Sequence, residues 1–247
     1  MPSEPPTGHS PEKHRSSSFA ATDWNLIVTA ASDSRAALDR LCRTYWRPVY
    51  LFVRASGVDR NDAEDDTQEF FADMFKQDWL KVADKERGSF RAFMRTRLRH
   101  FLSNRRRGER RLKRGGSLIL MSAETEGLER ELAAQPAASS DPAVLYERKW
   151  AATVLQTALT RLEDEERKAS RAERFDSIRP FLIHPPSDGD YVRIGKKLDL
   201  PRGQVAVLVH RLSRRYAGLV RAEVGATLTD PSQTQEELRH LLRSALP

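Results

Sequence analysis

The stretch YVRIGKKLDLPRGQVAVLVHRLSRRY, residues 191–216, has the spacing of two helices joined by a tight turn. Gly195 is small enough for close helix crossing, Asp199 tolerates a left-handed backbone, and Pro201 suits the first turn of the second helix. Apolar residues recur at helical spacing on both sides of the turn, at Ile194, Leu198, Leu200, Val205, Leu208, Val209 and Leu212. This pattern predicts a helix-turn-helix.

The second helix of this motif has outward positions that suit DNA. They mix side chains that read base edges with side chains that bind phosphates. These positions are Arg202, Gln204, Val207, His210, Arg211 and Arg214. A helical hairpin with a merely basic face is the alternative, but the mixture of residue types favours a DNA-reading helix.

Length and composition indicate small helical domains and a polyanionic partner. The chain has 247 residues, 31% charged and 39% hydrophobic, and a net charge of +7. Basic residues placed on phosphates release bound counterions, so nucleic acid is the first candidate partner. We expect an all-α fold of two domains: a disordered tail (1–33), a first domain (34–114), a flexible linker (115–142), a second domain (143–225) and a C-terminal helical extension (226–247).

Apart from a cluster of carboxylates considered below, nothing in the sequence indicates enzymatic chemistry, a metal site or a cofactor. The single cysteine, Cys42, lies on an apolar helix face and is interpreted as core, and the six histidines lack ligand-like spacing. No apolar run reaches the ~18 residues of a membrane span, and residues 1–15 do not resemble a secretion signal. We therefore expect a cytoplasmic protein with no membrane partner.

Three helical patterns occupy the first domain. The first starts at Ser34, is kinked or broken at Pro48, and ends at Gly57. The second starts near Asn61, which can cap it, and the third near Ser89.

The second of these helices is strongly acidic. Seven acids and one arginine lie between residues 59 and 73. Asp62, Asp65 or Asp66, Glu69 and Asp73 share roughly one helix face. Such a face repels nucleic acid, so a basic protein partner is the preferred interpretation, with a solvated face as the alternative. A magnesium-dependent nuclease is a weaker hypothesis, because no general base is evident nearby.

The third helix and its extension are strongly basic. Residues 91–114 contain eleven Lys or Arg and one acid, Glu109. Phe90, Phe93 and Phe101 lie among these cations, an arrangement that suits single strands because unstacked bases stack on aromatic rings. Helical spacing favours core packing for Phe93 and Phe101. The basic residues are therefore the stronger candidates for contact with nucleic acid.

Several motifs together resemble a known family. YWRPVY (45–50), DAEDDTQEFF (62–71) and FRAF (90–93) with its arginine tail resemble region two of the extracytoplasmic-function sigma factors, in the sigma-70 superfamily of RNA polymerase sigma factors. The helix-turn-helix resembles their region four, in the same order along the chain. The resemblance covers roughly residues 35–225.

The resemblance implies a role in promoter recognition, DNA melting and transcription initiation. The acidic helix would dock on the clamp of the largest subunit of core RNA polymerase through Asp62, Asp65, Gln68 and Glu69. The loop at 79–88 and the third helix would hold the melted minus-ten strand, with Arg91, Arg95, Arg99, His100, Asn104 and Arg105 as the helix contacts. The second domain would bind the polymerase flap and read minus-thirty-five DNA through Arg202, Gln204, Val207, His210, Arg211 and Arg214. An anti-sigma factor is a further implied partner.

The chain departs from the family pattern in three ways. Asp66 stands at a usually apolar position, and Ala206 and Leu208 replace residues that are often basic. The tail after Arg221 and the loop near His184 exceed a minimal member. A free-standing helix-turn-helix regulator, which would read a palindrome as a dimer, is the rival interpretation.

Overall fold

The computed structural model describes residues 35–76, 89–106, 122–134, 141–228 and 231–245. The fold is all-α, as predicted. Its α-helices in chain order are α1 (Arg35–Ala55), α2 (Arg60–Lys76), α3 (Phe90–Arg106), α4 (Ser122–Ala133), α5 (Pro142–Lys168), α6 (Ala172–Ile178), α7 (Asp188–Leu198), α8 (Arg202–Gly225) and α9 (Thr234–Ala245). Short 3₁₀ helices, Arg179–Leu182 and Pro231–Gln233, precede α7 and α9.

The first helix, α1, runs through Pro48 as one element rather than as two helices. Tyr45, Val49 and Val53 lie fully buried along it, so packing on both sides of the proline holds the helix together. The segment ends as predicted at Gly57, whose φ of +89° is a conformation that glycine adopts at little cost.

The second helix begins earlier than the sequence suggested. Asp59 Oδ1 accepts a hydrogen bond from the backbone N–H of Asp62 at 3.0 Å, so Asp59 is the capping residue. Hydrogen bonds from the backbone N–H groups of Asp62 and Asn61 hold the pKa of Asp59 below its usual value. The prediction of Asn61 as the cap was therefore wrong, and Asn61 lies inside the first turn.

The segment expected to be a flexible linker contains a helix, α4, over Ser122–Ala133. Its Leu128 is buried, and Glu129 binds α1. Tyr50 Oη donates to Glu129 Oε1 at 2.6 Å, and Arg54 Nη2 donates to Glu129 Oε2 at 2.7 Å. The expectation of a flexible linker is thus corrected for these residues. Residues 107–121 and 135–140 lie outside the described ranges, as does the tail expected over 1–33.

The longest helix, α5, packs against both halves of the chain. It starts as predicted at Asp141 and Pro142, where Asp141 Oδ1 accepts from the N–H of Ala143 at 2.8 Å. Its buried Tyr146 and Trp150 belong to a single apolar cluster that extends from α1 to α9. The expected division into two domains joined by a flexible linker is therefore not confirmed, because the described residues share one core.

Candidate nucleic-acid and protein-binding surfaces

Helices α7 and α8 form the predicted helix-turn-helix. Ser187 and Asp190 make a reciprocal capping box at the start of α7, with Ser187 N–H donating to Asp190 Oδ2 at 2.9 Å. Asp199 has the predicted left-handed backbone, at φ 52° and ψ 49°. Pro201 lies one residue before α8, in extended backbone, rather than inside its first turn.

Gly195 is required by the turn rather than by the helix crossing that we expected. The N–H of Leu200 donates to the Gly195 carbonyl at 2.9 Å. A Cβ atom on residue 195 would lie 2.6 Å from the Leu200 carbonyl oxygen, which is closer than such atoms approach in proteins. The glycine therefore allows the turn to fold back onto α7.

The recognition face of α8, the six outward positions named from the sequence, is exposed. Val205, Val209 and Leu212 are buried against the rest of the motif. The exposed residues are Arg202, Gln204, Val207, His210, Arg211 and Arg214. Val207 is 51% exposed. The structure thus presents apolar, amide and basic groups together on one helix.

A shallow groove of about 300 Å³ runs beside the recognition face. Gln204, Val207 and Arg211 line it from α8, and Arg174 lines it from α6. Arg174 was missed by the sequence analysis because it lies outside the helix-turn-helix. Arg202 is held at one end of α8, where its Nη2 lies 2.5 Å from Asp188 Oδ1.

The acidic helix α2 divides into exposed and buried carboxylates. Asp62 and Asp65 are exposed, whereas Gln68 is half-buried. The Glu69 side chain is 43% exposed and forms an ion pair with Arg105 of α3. Of the four residues predicted to contact polymerase, Asp62 and Asp65 are therefore the two most exposed.

The sequence left open whether Asp65 or Asp66 lies on the acidic face of α2, and the Asp66 side chain points into the protein. It is 2% exposed, and its Oδ1 lies 2.6 Å from Arg105 Nη2 in an ion pair without hydrogen-bond geometry. Burial raises the pKa of Asp66 to about 6, although Arg105 opposes this shift. Asp66 is thus buried like the apolar residue that the resemblance leads one to expect there.

Three of the basic residues predicted to hold DNA instead form internal ion pairs. Arg91 is 6% exposed, and its guanidinium lies 5.0 Å from the ring centre of Trp150. Arg91 and Arg95 both pair with Glu147 of α5. Arg105 pairs with Asp66 and Glu69, as described above. In this conformation Arg91, Arg95 and Arg105 are bound to carboxylates of the protein itself.

The other three predicted contacts of α3, Arg99, His100 and Asn104, are exposed. Arg99 lines a groove of about 350 Å³ together with Ser103 and Arg106. Ser103 was missed, and Arg106 was counted only among the basic residues. Ser103 and Arg106 follow Arg99 by four and seven residues, which places all three on one helix face and could have identified both.

The aromatic side chains of α3 serve mainly in packing. Phe90 is fully buried, and its ring stacks on the half-buried Phe93 at 5.9 Å between centroids. Phe101 packs edge-on against Phe70 of α2 at 5.6 Å. Core packing for Phe93 and Phe101 agrees with the preferred interpretation. The loop at 79–88 and the arginines at 107–114 lie outside the described residues.

Comparison with known proteins identifies no relative: no family model, curated protein or solved structure matches the chain. Across the described ranges, no helix is long and apolar enough to cross a membrane. In the same residues, no three His, Cys, Asp or Glu side chains are grouped so that they could hold a metal ion.

Proposed function

We propose that this protein is a sigma factor of the extracytoplasmic-function type, which binds core RNA polymerase and directs it to promoters. The observation that carries the proposal is the helix-turn-helix with its exposed recognition face. An accessible acidic helix and a basic helix accompany it in the same chain, in the order that the family resemblance implies. Action on RNA polymerase would place the protein in the cytoplasm.

The recognition face of α8 would read duplex DNA in the minus-thirty-five region. Gln204 can bind the N6 and N7 edge of adenine, and Val207 can contact the methyl group of thymine. Arg211 and Arg214 can bind guanine or neighbouring phosphates, and Arg174 borders the same groove. The mixture of groups supports sequence reading in addition to charge attraction.

The acidic helix would supply the contact with polymerase. Asp62 and Asp65 are exposed on α2, where they would repel DNA phosphates and attract a basic protein surface. The family resemblance suggests the clamp of the largest polymerase subunit as that surface, with the flap of the second subunit as the contact for the α7–α8 half. An anti-sigma factor would be a competing partner.

The outer face of α3 would hold the separated DNA strand. Arg99, His100 and Asn104 are exposed and offer cationic and hydrogen-bonding groups for phosphates and unstacked bases. Melting requires unstacking energy that binding of the single strand can offset. This role needs no covalent chemistry from the protein.

Polymerase binding tests this proposal. Purified core RNA polymerase is incubated with the wild-type chain, with Asp62→Arg plus Asp65→Arg, and with Asp164→Arg plus Glu173→Arg. The last variant reverses two exposed acids outside α2 and matches the change in net charge. We expect the wild type and the matched control to be retained by polymerase and the α2 variant to be lost.

Failure of the wild-type chain to bind polymerase would contradict the proposal. Specific binding of the free chain to duplex DNA under those conditions would then favour the rival function, an independent helix-turn-helix regulator. Equal loss of binding in both double variants would show that net charge, rather than the acidic face of α2, governs the interaction.

A further inference from the structure

The C-terminal helix α9 covers the start of the basic helix α3. Leu241 of α9 is fully buried, although its neighbour Leu242 is 57% exposed. Glu237 Oε1 accepts a hydrogen bond from Arg91 Nε at 2.8 Å. The backbone N–H of Phe90 donates to the carbonyl of Thr227, which lies in the segment between α8 and α9, at 3.2 Å. The C-terminal extension is thus attached to α3 by ionic and backbone contacts, while α9 itself packs against α5 and α8.

A second carboxylate completes this junction. Glu147 of α5 pairs with both Arg91 and Arg95, and His240 Nε2 of α9 lies 3.1 Å from Glu147 Oε2. The side chains of Glu147 and Glu237 are only 9% and 12% exposed. Two guanidinium groups predicted to bind a DNA strand are therefore occupied by two acids of the same chain.

The chemistry of this junction matches that of a phosphate site. A guanidinium binds carboxylate and phosphate oxygens with the same planar set of N–H donors. A buried ion pair is weak evidence for added stability, because removing its charges from water opposes their attraction. Holding Arg91 against external anions is a role that such an arrangement can serve.

We infer that α9 is an internal competitor of nucleic acid, with the carboxylate of Glu237 occupying a position on Arg91 that a strand phosphate takes when α9 is displaced. This inference rests on the proposed function. The exchange breaks one ion pair and forms another, so it needs no cofactor and no covalent step. Exposed Arg99, two turns along α3, remains accessible to a first phosphate while α9 is in place.

Two matched pairs of variants of the full chain test the inference. Glu237→Gln removes the competing charge, and Glu236→Gln makes the same change at an exposed neighbour. Leu241→Ala removes the buried apolar contact of α9, and Leu242→Ala shortens the exposed leucine beside it. Binding of a labelled oligothymidylate is measured by fluorescence anisotropy over a range of salt concentrations, and hydrogen exchange reports the protection of α3 and α9.

Glu237→Gln is expected to bind the oligonucleotide about tenfold more tightly than wild type, as one added charge-assisted hydrogen bond would allow. The slope of log K against log salt concentration should steepen by about 0.7 for each phosphate gained. Leu241→Ala should change affinity and slope in the same direction while α9 loses hydrogen-exchange protection. Glu236→Gln and Leu242→Ala should behave like wild type.

The outcomes separate this inference from the proposed function. If wild type binds the oligonucleotide and Glu237→Gln binds no better than Glu236→Gln, α9 is not a competitor, and the sigma proposal is unaffected. Tighter binding with an unchanged salt slope would also overturn the inference, because no additional phosphate would have been engaged. If no variant binds nucleic acid, with or without polymerase, the proposed function fails and the inference fails with it.

Discussion

Replacing the buried Asp66 by asparagine should stabilise the protein at neutral pH. Asp66 is 2% exposed and forms an ion pair with Arg105, which also pairs with Glu69. Asparagine removes the buried charge and leaves Arg105 with Glu69. The acidic helix should therefore retain its position while the cost of burying a carboxylate disappears.

The expected effect follows from the pKa of Asp66. Burial raises this pKa from 3.8 to about 6 in the folded protein. At about 1.36 kcal/mol per pKa unit, the charged form costs the folded state on the order of 3 kcal/mol. Because the folded pKa is raised, the protonated carboxyl favours folding below pH ~4, and this advantage is lost as pH rises through about 6. Asp66→Asn should thus match wild type in acid and exceed its stability at neutral pH.

Urea denaturation of wild type, Asp66→Asn and Asp164→Asn at pH values from acid to neutral measures this difference. Asp164 is exposed on α5, so its substitution controls for the loss of one negative charge. The free energy of unfolding of Asp66→Asn relative to wild type should grow with pH, whereas that of Asp164→Asn should not. A destabilised Asp66→Asn at neutral pH would refute the reasoning and show that the ion pair with Arg105 outweighs the cost of burial.

Two further substitutions test the turn and the fourth helix. Gly195→Ala should destabilise the protein by about 1–3 kcal/mol and weaken duplex DNA binding. Gly218→Ala, also in the helix-turn-helix half and with no atom within 4 Å of its Cβ, should preserve both in thermal melts and DNA titrations. Glu129→Gln should expose α4 to hydrogen exchange at neutral pH, because it removes the carboxylate that accepts from Tyr50 and Arg54. Hydrogen bonds from Arg54 lower the pKa of Glu129. In wild type this contact is therefore present when the pH is above the ordinary pKa of a glutamate, and it is lost as the pH falls through the lowered pKa. Unchanged hydrogen exchange of α4 in Glu129→Gln would contradict the assignment of this contact.

The helix-turn-helix could be predicted because its determinants are local. The helical spacing of Val205, Val209 and Leu212 places them on one face, and Asp199 suits the left-handed turn by its own chemistry. Exposure of the recognition face follows from the same spacing. The role of Gly195 depended on the position of the Leu200 carbonyl across the turn, which helical spacing does not specify.

The internal ion pairs could not be predicted because their partners are distant in sequence. Arg91 lies 56 residues from Glu147 and 146 residues from Glu237. In the local sequence Arg91 is one of many basic residues, and only the packing of α5 and α9 shows that it is buried. Helix α4 was missed because its sequence has no sustained repeat of apolar residues at helical spacing. Among its described side chains, only Thr125 and Leu128 are buried.

The central claim is tested most directly by reconstituted transcription. Core RNA polymerase is combined with the wild-type chain, or with a variant carrying Gln204→Ala and Arg211→Ala on the recognition face, and start sites are mapped on a library of genomic DNA fragments. The account predicts that wild type directs initiation downstream of a shared upstream sequence and that the variant loses these start sites while still binding polymerase. Start sites that are the same with and without the chain would contradict the claim that it is a sigma factor.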